Sequence, residues 1–314
     1  MFKPGALSQF VNAIRASGRL QRSKPDPEIR TGKGADNKLD REARIRPSRR
    51  HLPPIEPSND MARLLLSGSP PLIHPQGRFI VIFSEKSACT NVVIWFLTQL
   101  GHAKAARDFH EWPHEYRISV YYQSQLYQNA LRSDLSDFRI VRVIRDPFDR
   151  AVSSFRHVLR FNIIDHDINL ALEPRSIEQD GLSFAEFLDF LDGVDLQNCN
   201  PHFSIQRHPL EDFCVIEYLI NISRESLFDR LNEIEAALGL TPTALKNDSW
   251  VQRLVVHNRP RRELAAEKGI FQRRFTRKDA RQGPWPHHEL FLTAAARAKI
   301  TRLYHKDVEA YVNE

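Results

Sequence analysis

The sequence predicts an α/β fold, a parallel sheet flanked by helices, and three observations carry that reading. From Arg78 onward, short apolar runs alternate with longer helical patterns. Two of those runs, residues 79–83 and 138–144, pass at once into helix-forming sequence. The chain of 314 residues is 41% hydrophobic, enough for a sizeable core in one large domain or two smaller ones. Strands are expected at 79–83, 138–144 and 213–218. Helices are expected at 91–100, 119–133, 147–159, 183–191, 224–238 and 290–304. Residues 161–181 read as a polar insertion, and 195–210 as a loop holding Cys199, His202 and His208. Long loops in a compact domain are often functional, so both are candidates for a substrate cleft.

The first junction reads FIVIFSEKSACTN from Phe79 to Asn91 and forms a P-loop-like phosphate cradle. A strand that ends on a tight loop aims backbone N–H groups at one point, and the helix starting there adds the positive end of its dipole. Lys86 adds a full charge and Thr90 a hydroxyl at the helix start. The G-x-x-x-x-G-K-[ST] loop is not present, because no glycine lies between Phe79 and Leu100. The second junction reads FRIVRVIRDPFDRAVSSFR from Phe138 to Arg156. Asp146 is placed to cap its helix, Pro147 suits the first helical position, and Asp149 is placed to close a capping box. Arg145 then sits at a strand's C-terminal end, where open α/β sheets bind ligands, with Ser153 two turns into the helix on the same side. Taken singly, a lysine after a strand is ordinarily a solvated strand end and R-D-P a helix start. Their order and shared context favour two phosphate sites. Arg150 and Arg156 read as surface or ion-pairing residues, and Cys89 as a small filler beside the phosphate.

These two segments resemble the cofactor motifs of sulfotransferases that use 3'-phosphoadenosine 5'-phosphosulfate (PAPS), with the closest likeness to the carbohydrate sulfotransferases of the chondroitin, HNK-1 and uronyl 2-O types. The family's P-K-x-A-C-T-N loop stands here as EKSACTN, with Glu85 where proline is common, and its V-I-R-D-P-[FI]-[DE]-R-x-V-S motif stands as Val143 to Ser153. The resemblance implies that Lys86, Ser87, Ala88, Cys89, Thr90 and Asn91 bind the 5' end of PAPS, and that Arg145 and Ser153 bind its 3'-phosphate. Arg277 and Lys278, followed by Gly283 and Trp285, resemble the R-K-G-x-x-G-D-W stretch that closes over the 3'-phosphate, with Asp279 in place of its first glycine. The implied reaction is sulfuryl transfer to an acceptor hydroxyl on a carbohydrate or glycolipid, with Lys86 acting on the leaving oxygen and no metal expected. Candidates for the base are His110, Glu111 and His114 in DFHEWPHEY, and His202 in NPHFSIQ, which resembles the family's H-W-x-P segment. The rival readings are a P-loop kinase or other nucleotide-binding enzyme, and a non-catalytic sulfotransferase-fold binding protein.

Charge is uneven along the chain. Residues 1–77 hold 14 Lys and Arg against 7 Asp and Glu, an excess of seven, which leaves residues 78–314 one charge negative beside the total of +6. That division separates a basic leader, 1–77, from a sulfotransferase domain, 78–314, and argues against nucleic-acid binding by the domain. Residues 20–57 have the composition of a disordered segment. Leu7, Phe10, Val11 and Ile14 recur at helical spacing beside Arg15, Arg19 and Arg22, a candidate surface for peripheral membrane contact. Three scattered cysteines fit neither a disulfide framework nor a C-x-x-C zinc site, and no run of eighteen apolar residues occurs. A cytoplasmic enzyme, peripheral to a membrane at most, is the expectation; oligomeric state is left open.

Overall fold

The computed structural model describes residues 64–66, 69–162, 165–172, 175–258, 263–264 and 268–312. The chain divides into two units, Met1–Ile55 and Glu56–Glu314, and every described residue belongs to the second. Of the expected leader, residues 1–63, 67 and 68 lie outside the described residues, and with them the disorder expected at 20–57 and the amphipathic stretch at 7–14.

The central sheet has four strands in the order β1 (Leu72–His74), β2 (Phe79–Phe83), β3 (Arg139–Ile144), β5 (Tyr218–Asn221). β2, β3 and β5 run parallel, with Phe83 opposite Val143 and Ile144 opposite Asn221, while β1 returns antiparallel along β2. All five residues of β2 are buried, as a strand covered on both faces requires. Helix α1 (Cys89–Gln99) follows β2 and buries Val92 through Leu97 without a break, so it is enclosed rather than amphipathic. The following stretch supplies α2 (Ala103–Phe109), α3 (Pro113–Tyr116), a π-helical turn (Arg117–Tyr121) and α4 (Gln125–Arg132). Helix α5 (Pro147–Arg160) follows β3 and carries two functions on two faces. Its inner face adds Phe155 to an aromatic cluster with Phe184, Phe187, Phe275, Trp285 and Phe291, at centroid distances of 5.4 to 6.3 Å. Its other face, described below, is basic.

Beyond α5 come α6 (Asp165–Leu172), α7 (Ile177–Asp180), β4 (Leu182–Ser183) and α8 (Phe184–Asp192). After β5 follow α9 (Leu227–Leu238), α10 (Ser249–Asn258), α11 (Arg277–Gln282), α12 (Ala294–Leu303) and α13 (His305–Tyr311). Two small ladders, β4 with β7 (Arg274–Phe275) and β6 (Glu263–Leu264) with β8 (Trp285–Pro286), tie the later segments together. Among the described residues no helix is long and apolar enough to cross a membrane.

Several boundaries depart from the sequence expectation. The strand expected at 213–218 lies at Tyr218–Asn221, because β3 pairs it from Val141 opposite Tyr218; Phe213 and Val215, which suggested the strand, are exposed in the preceding loop. The stretch read as a polar insertion contains α6 and α7, each pinned by one buried isoleucine, Ile168 and Ile177. The helix expected at 290–304 is two pieces, a 3-10 turn (His288–Phe291) and α12, and α13 follows as a separate helix. β1 lies before residue 78, so the sheet begins inside the stretch assigned to the leader.

The middle of β3 carries a buried arginine, Arg142, inside the parallel sheet. Its Nε donates to Glu211 Oε1 at 2.7 Å, and its other nitrogens donate to the carbonyls of Ile82, Val143 and Gln206. Glu211 also accepts from His208 N and from the Tyr311 hydroxyl. Glu211→Ala should cost about 3–5 kcal/mol of unfolding free energy in urea titration, because Arg142 would keep its charge in the core without the carboxylate. A cost below about 1 kcal/mol would show that the pair is dispensable.

Candidate active site

The chain turns from β2 into α1 through residues 84–88. Lys86 (φ 71°) and Ala88 (φ 57°) occupy the left-handed region although neither is glycine. Each such residue costs roughly 1–3 kcal/mol, so the surroundings must hold the loop in place. Gln206 supplies that hold. Its Oε1 takes hydrogen bonds from Ser84 Oγ (3.1 Å), Ser87 Oγ (3.0 Å) and Arg145 N (3.0 Å), while its Nε2 donates to Arg145 O (2.8 Å). One side chain therefore joins the loop after β2 to the end of β3. Gln206 is itself fixed by Asp307, whose buried carboxylate accepts from the N–H groups of Gln206 (2.8 Å) and Arg207 (2.8 Å). Arg150 gives a second tie: Nε donates to Glu85 O (3.0 Å), Nη1 to Ser204 O (2.6 Å) and Nη2 to Pro201 O (3.2 Å). The expectation of a surface or ion-pairing role for Arg150 is corrected, since it is buried and bonds three carbonyls.

Helix α1 starts without a capping side chain and without an acidic residue in its first turn. Helix α5 is the opposite case. Asp146 accepts from Phe148 N (2.8 Å) and Asp149 N (3.3 Å), with Pro147 in the first turn as expected. Asp149 does not close the capping box; its carboxylate takes Ser223 Oγ–H (3.2 Å) and faces His288 (3.7 Å). The positive end of α1 is thus the one left for a ligand's anion.

A cleft of about 360 Å³ opens at that point, lined by the loop, the first turn of α1, α5 and the loop that carries His202. Of the six residues expected at the 5' end, Lys86, Ala88, Cys89, Thr90 and Asn91 line it. Ser87 does not, because its hydroxyl turns inward to Gln206 and Ser84. On α5, Ser153, Arg156, His157 and Arg160 recur at helical spacing and form one wall, so Arg156 faces the cleft instead of acting only as a surface residue. Arg145 sits beside the cleft, with Nη1 donating to Lys86 O (3.4 Å) and Nη2 contacting His288 Nδ1 (3.3 Å).

The candidate bases separate clearly. His202 lines the cleft. Asn200 Oδ1 accepts from both His202 N (3.0 Å) and His202 Nδ1 (2.8 Å). The backbone N–H can only donate, so the Asn200 atom is the oxygen, the ring proton sits on Nδ1, and Nε2 keeps its lone pair. His114 is buried behind the wall, with Nε2 3.3 Å from Thr90 Oγ1. His110 and Glu111 do not line the cleft. Their bonds shape the turn: His110 Nδ1 accepts from Trp112 N (2.9 Å) and Glu111 O from Trp250 Nε1 (2.7 Å). Arg277 and Lys278 also lie off the cleft, in the first turn of α11. Arg277 pairs with Asp165, and Lys278 is exposed. Asp279 explains its own presence in place of glycine, since its carboxylate accepts from Thr276 N (2.8 Å) and Thr276 Oγ1 (2.7 Å) to cap that helix.

The charges are tuned by burial. Lys86 is brought down to about 8, chiefly by burial, with Arg160 and Arg145 nearby adding to the shift. His202 falls to about 4 and His114 to about 3, both chiefly through burial. Burial likewise holds His157 well below its usual range, so it is neutral and its Nδ1 accepts from Lys86 Nζ at 3.2 Å. The His157 and His202 rings stack 4.1 Å apart at 14°. Burial alone would raise the Glu85 carboxyl, but Arg117 beside it holds it below the usual carboxylate range.

A strand, loop and uncapped helix arranged around a basic cleft make this an α/β protein with a site suited to an anionic ligand. Within that class it belongs to the sulfotransferases: a sequence model of the Sulfotransferase family matches residues 72–312, from the first residue of β1 to just past α13. No curated protein and no solved structure matches. The chain is an enzyme that transfers sulfate.

Gln206→Ala should leave the Arg145 amide and one of the Ser84 and Ser87 hydroxyls without an acceptor, since the two hydroxyls lie 2.8 Å apart and one can donate to the other. A stability loss of about 1–3 kcal/mol is expected for stranded buried donors. Amide hydrogen exchange should show the loss concentrated at residues 84–88 and 145; uniform protection across the sheet would show that Gln206 is not the tie.

Proposed function

We propose that the enzyme moves the sulfuryl group of PAPS to an acceptor hydroxyl on a carbohydrate or glycolipid. The observation that carries this reading is the coupling of the two junctions by Gln206, which holds the loop of Lys86 against the strand end of Arg145 beside one cleft. PAPS, when bound, supplies an activated sulfuryl group and a second phosphate as a handle. The residues present fit it: α1 has an uncapped start, Lys86 stands in the loop, and Arg145, just past the end of β3, and Ser153, on α5, are available to the 3'-phosphate. In the proposed mechanism His202 Nε2 takes the acceptor proton. Lys86 places its charge on the oxygen that leaves with the 5'-phosphate, where the developing charge is largest. His157 orients that lysine through its Nδ1. The basic N-terminal residues suit attraction to anionic lipid or a polyanionic acceptor, and a cytoplasmic, membrane-peripheral location remains part of the proposal.

Adenosine 3',5'-bisphosphate should bind without magnesium in isothermal titration, and Arg145→Ala should weaken it by about 1.5–3 kcal/mol. Unchanged affinity in that variant would remove the 3'-phosphate assignment. Lys86→Ala should lower kcat more than bisphosphate affinity. His202→Ala should lower kcat by a factor on the order of 10² to 10⁴ with affinity nearly intact, whereas His110→Ala and Glu111→Ala should not.

The pH dependence follows from the same groups. His202 must be neutral to accept a proton, so kcat/KM should rise as pH passes about 4; Lys86 must be charged, so it should fall as pH passes about 8. A pH–rate profile that stays level through about 8 would take the lysine charge out of the reaction.

A further inference from the structure

Three side chains beside the loop take no part in the proposed proton transfer once His202 is the base. Glu85, Cys89 and His114 bring a carboxylate oxygen, a thiol sulfur and an imidazole nitrogen within 4.8 Å of one another. Glu85 and Cys89 flank the turn that contains left-handed Lys86 and Ala88, and that turn brings them together. His114 arrives from α3, held against Thr90 and beside the ring of Trp112 at 5.2 Å.

Mixed sulfur, nitrogen and oxygen donors suit a borderline-soft divalent ion, Zn²⁺ ahead of Mg²⁺ or Ca²⁺. A tetrahedral ion with bonds of about 2.0–2.3 Å sets its donors about 3.3–3.8 Å apart, so the set must close by about 1 Å, which side-chain torsions provide. Glu85 and Cys89 both line the cleft, so the fourth coordination position opens toward it. Arg117 lies 3.4 Å from Glu85 Oε1 and opposes a cation there. Two facts limit that opposition. The carboxylate has a second oxygen, and Arg117 is also held over the rings of Phe83 and Tyr122 at 5.3 and 5.7 Å. On binding, the Cys89 thiol gives its proton to solvent, so thiolate and carboxylate together offset the ion, with Arg117 left as an outer charge.

We propose that Glu85, Cys89 and His114 bind Zn²⁺, and that the occupied site excludes the sulfuryl donor. The ion and the ligand at its open position would stand against the first turn of α1, in the space the donor's 5' end requires. The exclusion rests on the function proposed above; the metal binding does not.

The test uses the full-length, metal-free protein titrated with Cd²⁺, whose thiolate charge-transfer absorbance in the ultraviolet reports a metal–sulfur bond. One equivalent should saturate the band, and Zn²⁺ should displace it. Cys89→Ser should abolish it, and Glu85→Gln and His114→Ala should each weaken binding by at least about tenfold. A band that survives in folded Cys89→Ser overturns the site. Should that variant not fold, alkylation of the wild type decides: Zn²⁺ should protect Cys89, with Cys199 and Cys214 as internal controls, and an unprotected Cys89 overturns the proposal. Zn²⁺ should also weaken binding of adenosine 3',5'-bisphosphate by the wild type. Undiminished bisphosphate binding alongside the cadmium band overturns the exclusion alone. A cadmium band in a protein that never binds the bisphosphate supports the metal site and instead counts against the donor assignment.

Discussion

The amide of Gln206 is the point through which the two halves of the site are joined. A loop with two left-handed residues stores conformational cost, and a strand end is free to drift unless something fixes its carbonyl and N–H. Gln206 meets both needs because an amide offers an acceptor and a donor on the same rigid plane. Its own position is set by Asp307 through backbone N–H groups and by Arg142 through its carbonyl. Arg142 in turn depends on Glu211. The chain of dependence therefore runs from a buried ion pair in the sheet, through one glutamine, to the loop after β2. A low local dielectric makes each link strong when satisfied and costly when broken.

Burial also sorts the charges around the cleft. Imidazole and ammonium groups respond to desolvation in the same direction, yet they start from different reference values. Histidines moved down become neutral acceptors at ordinary pH, whereas Lys86, moved down to about 8, still carries its proton there. One physical effect thus leaves a neutral imidazole and a charged ammonium within a single small cleft. The His202 ring has an amide as its partner at Nδ1. Asn200 fixes its tautomer without adding a charge that would raise its affinity for the proton.

Much of this was legible in the sequence, for a local reason. Each junction is a continuous segment in which strand, loop and helix signals sit side by side, so Phe79 to Asn91 and Phe138 to Ser153 revealed both geometry and residues. The helix start at Asp146 and Pro147 was readable because capping is a local interaction. The strand after residue 213 was misplaced because Phe213 and Val215 have the composition of a strand, while pairing with β3 chose the next four residues. Gln206 gave no signal: nothing near it in sequence shows that residues 84, 87 and 145 converge on it. His157 and Arg160 were within reach, since they continue the helical face of Ser153. Arg150 was misread because its sequence context is equally that of an exposed helix position, and only the carbonyls of Glu85, Pro201 and Ser204 explain its burial.

The bond between Asp307 and the backbone of Gln206 has a consequence in time as well as in space. Domains emerge from the ribosome N-terminal end first, at about 5–20 residues per second. For the seconds between the appearance of residue 206 and residue 307, both junctions have been synthesised, while the loop that must clamp them lacks its anchor. Completion of the site is therefore a late event in synthesis, and a nascent chain stalled in that interval would lack the carboxylate that fixes Gln206.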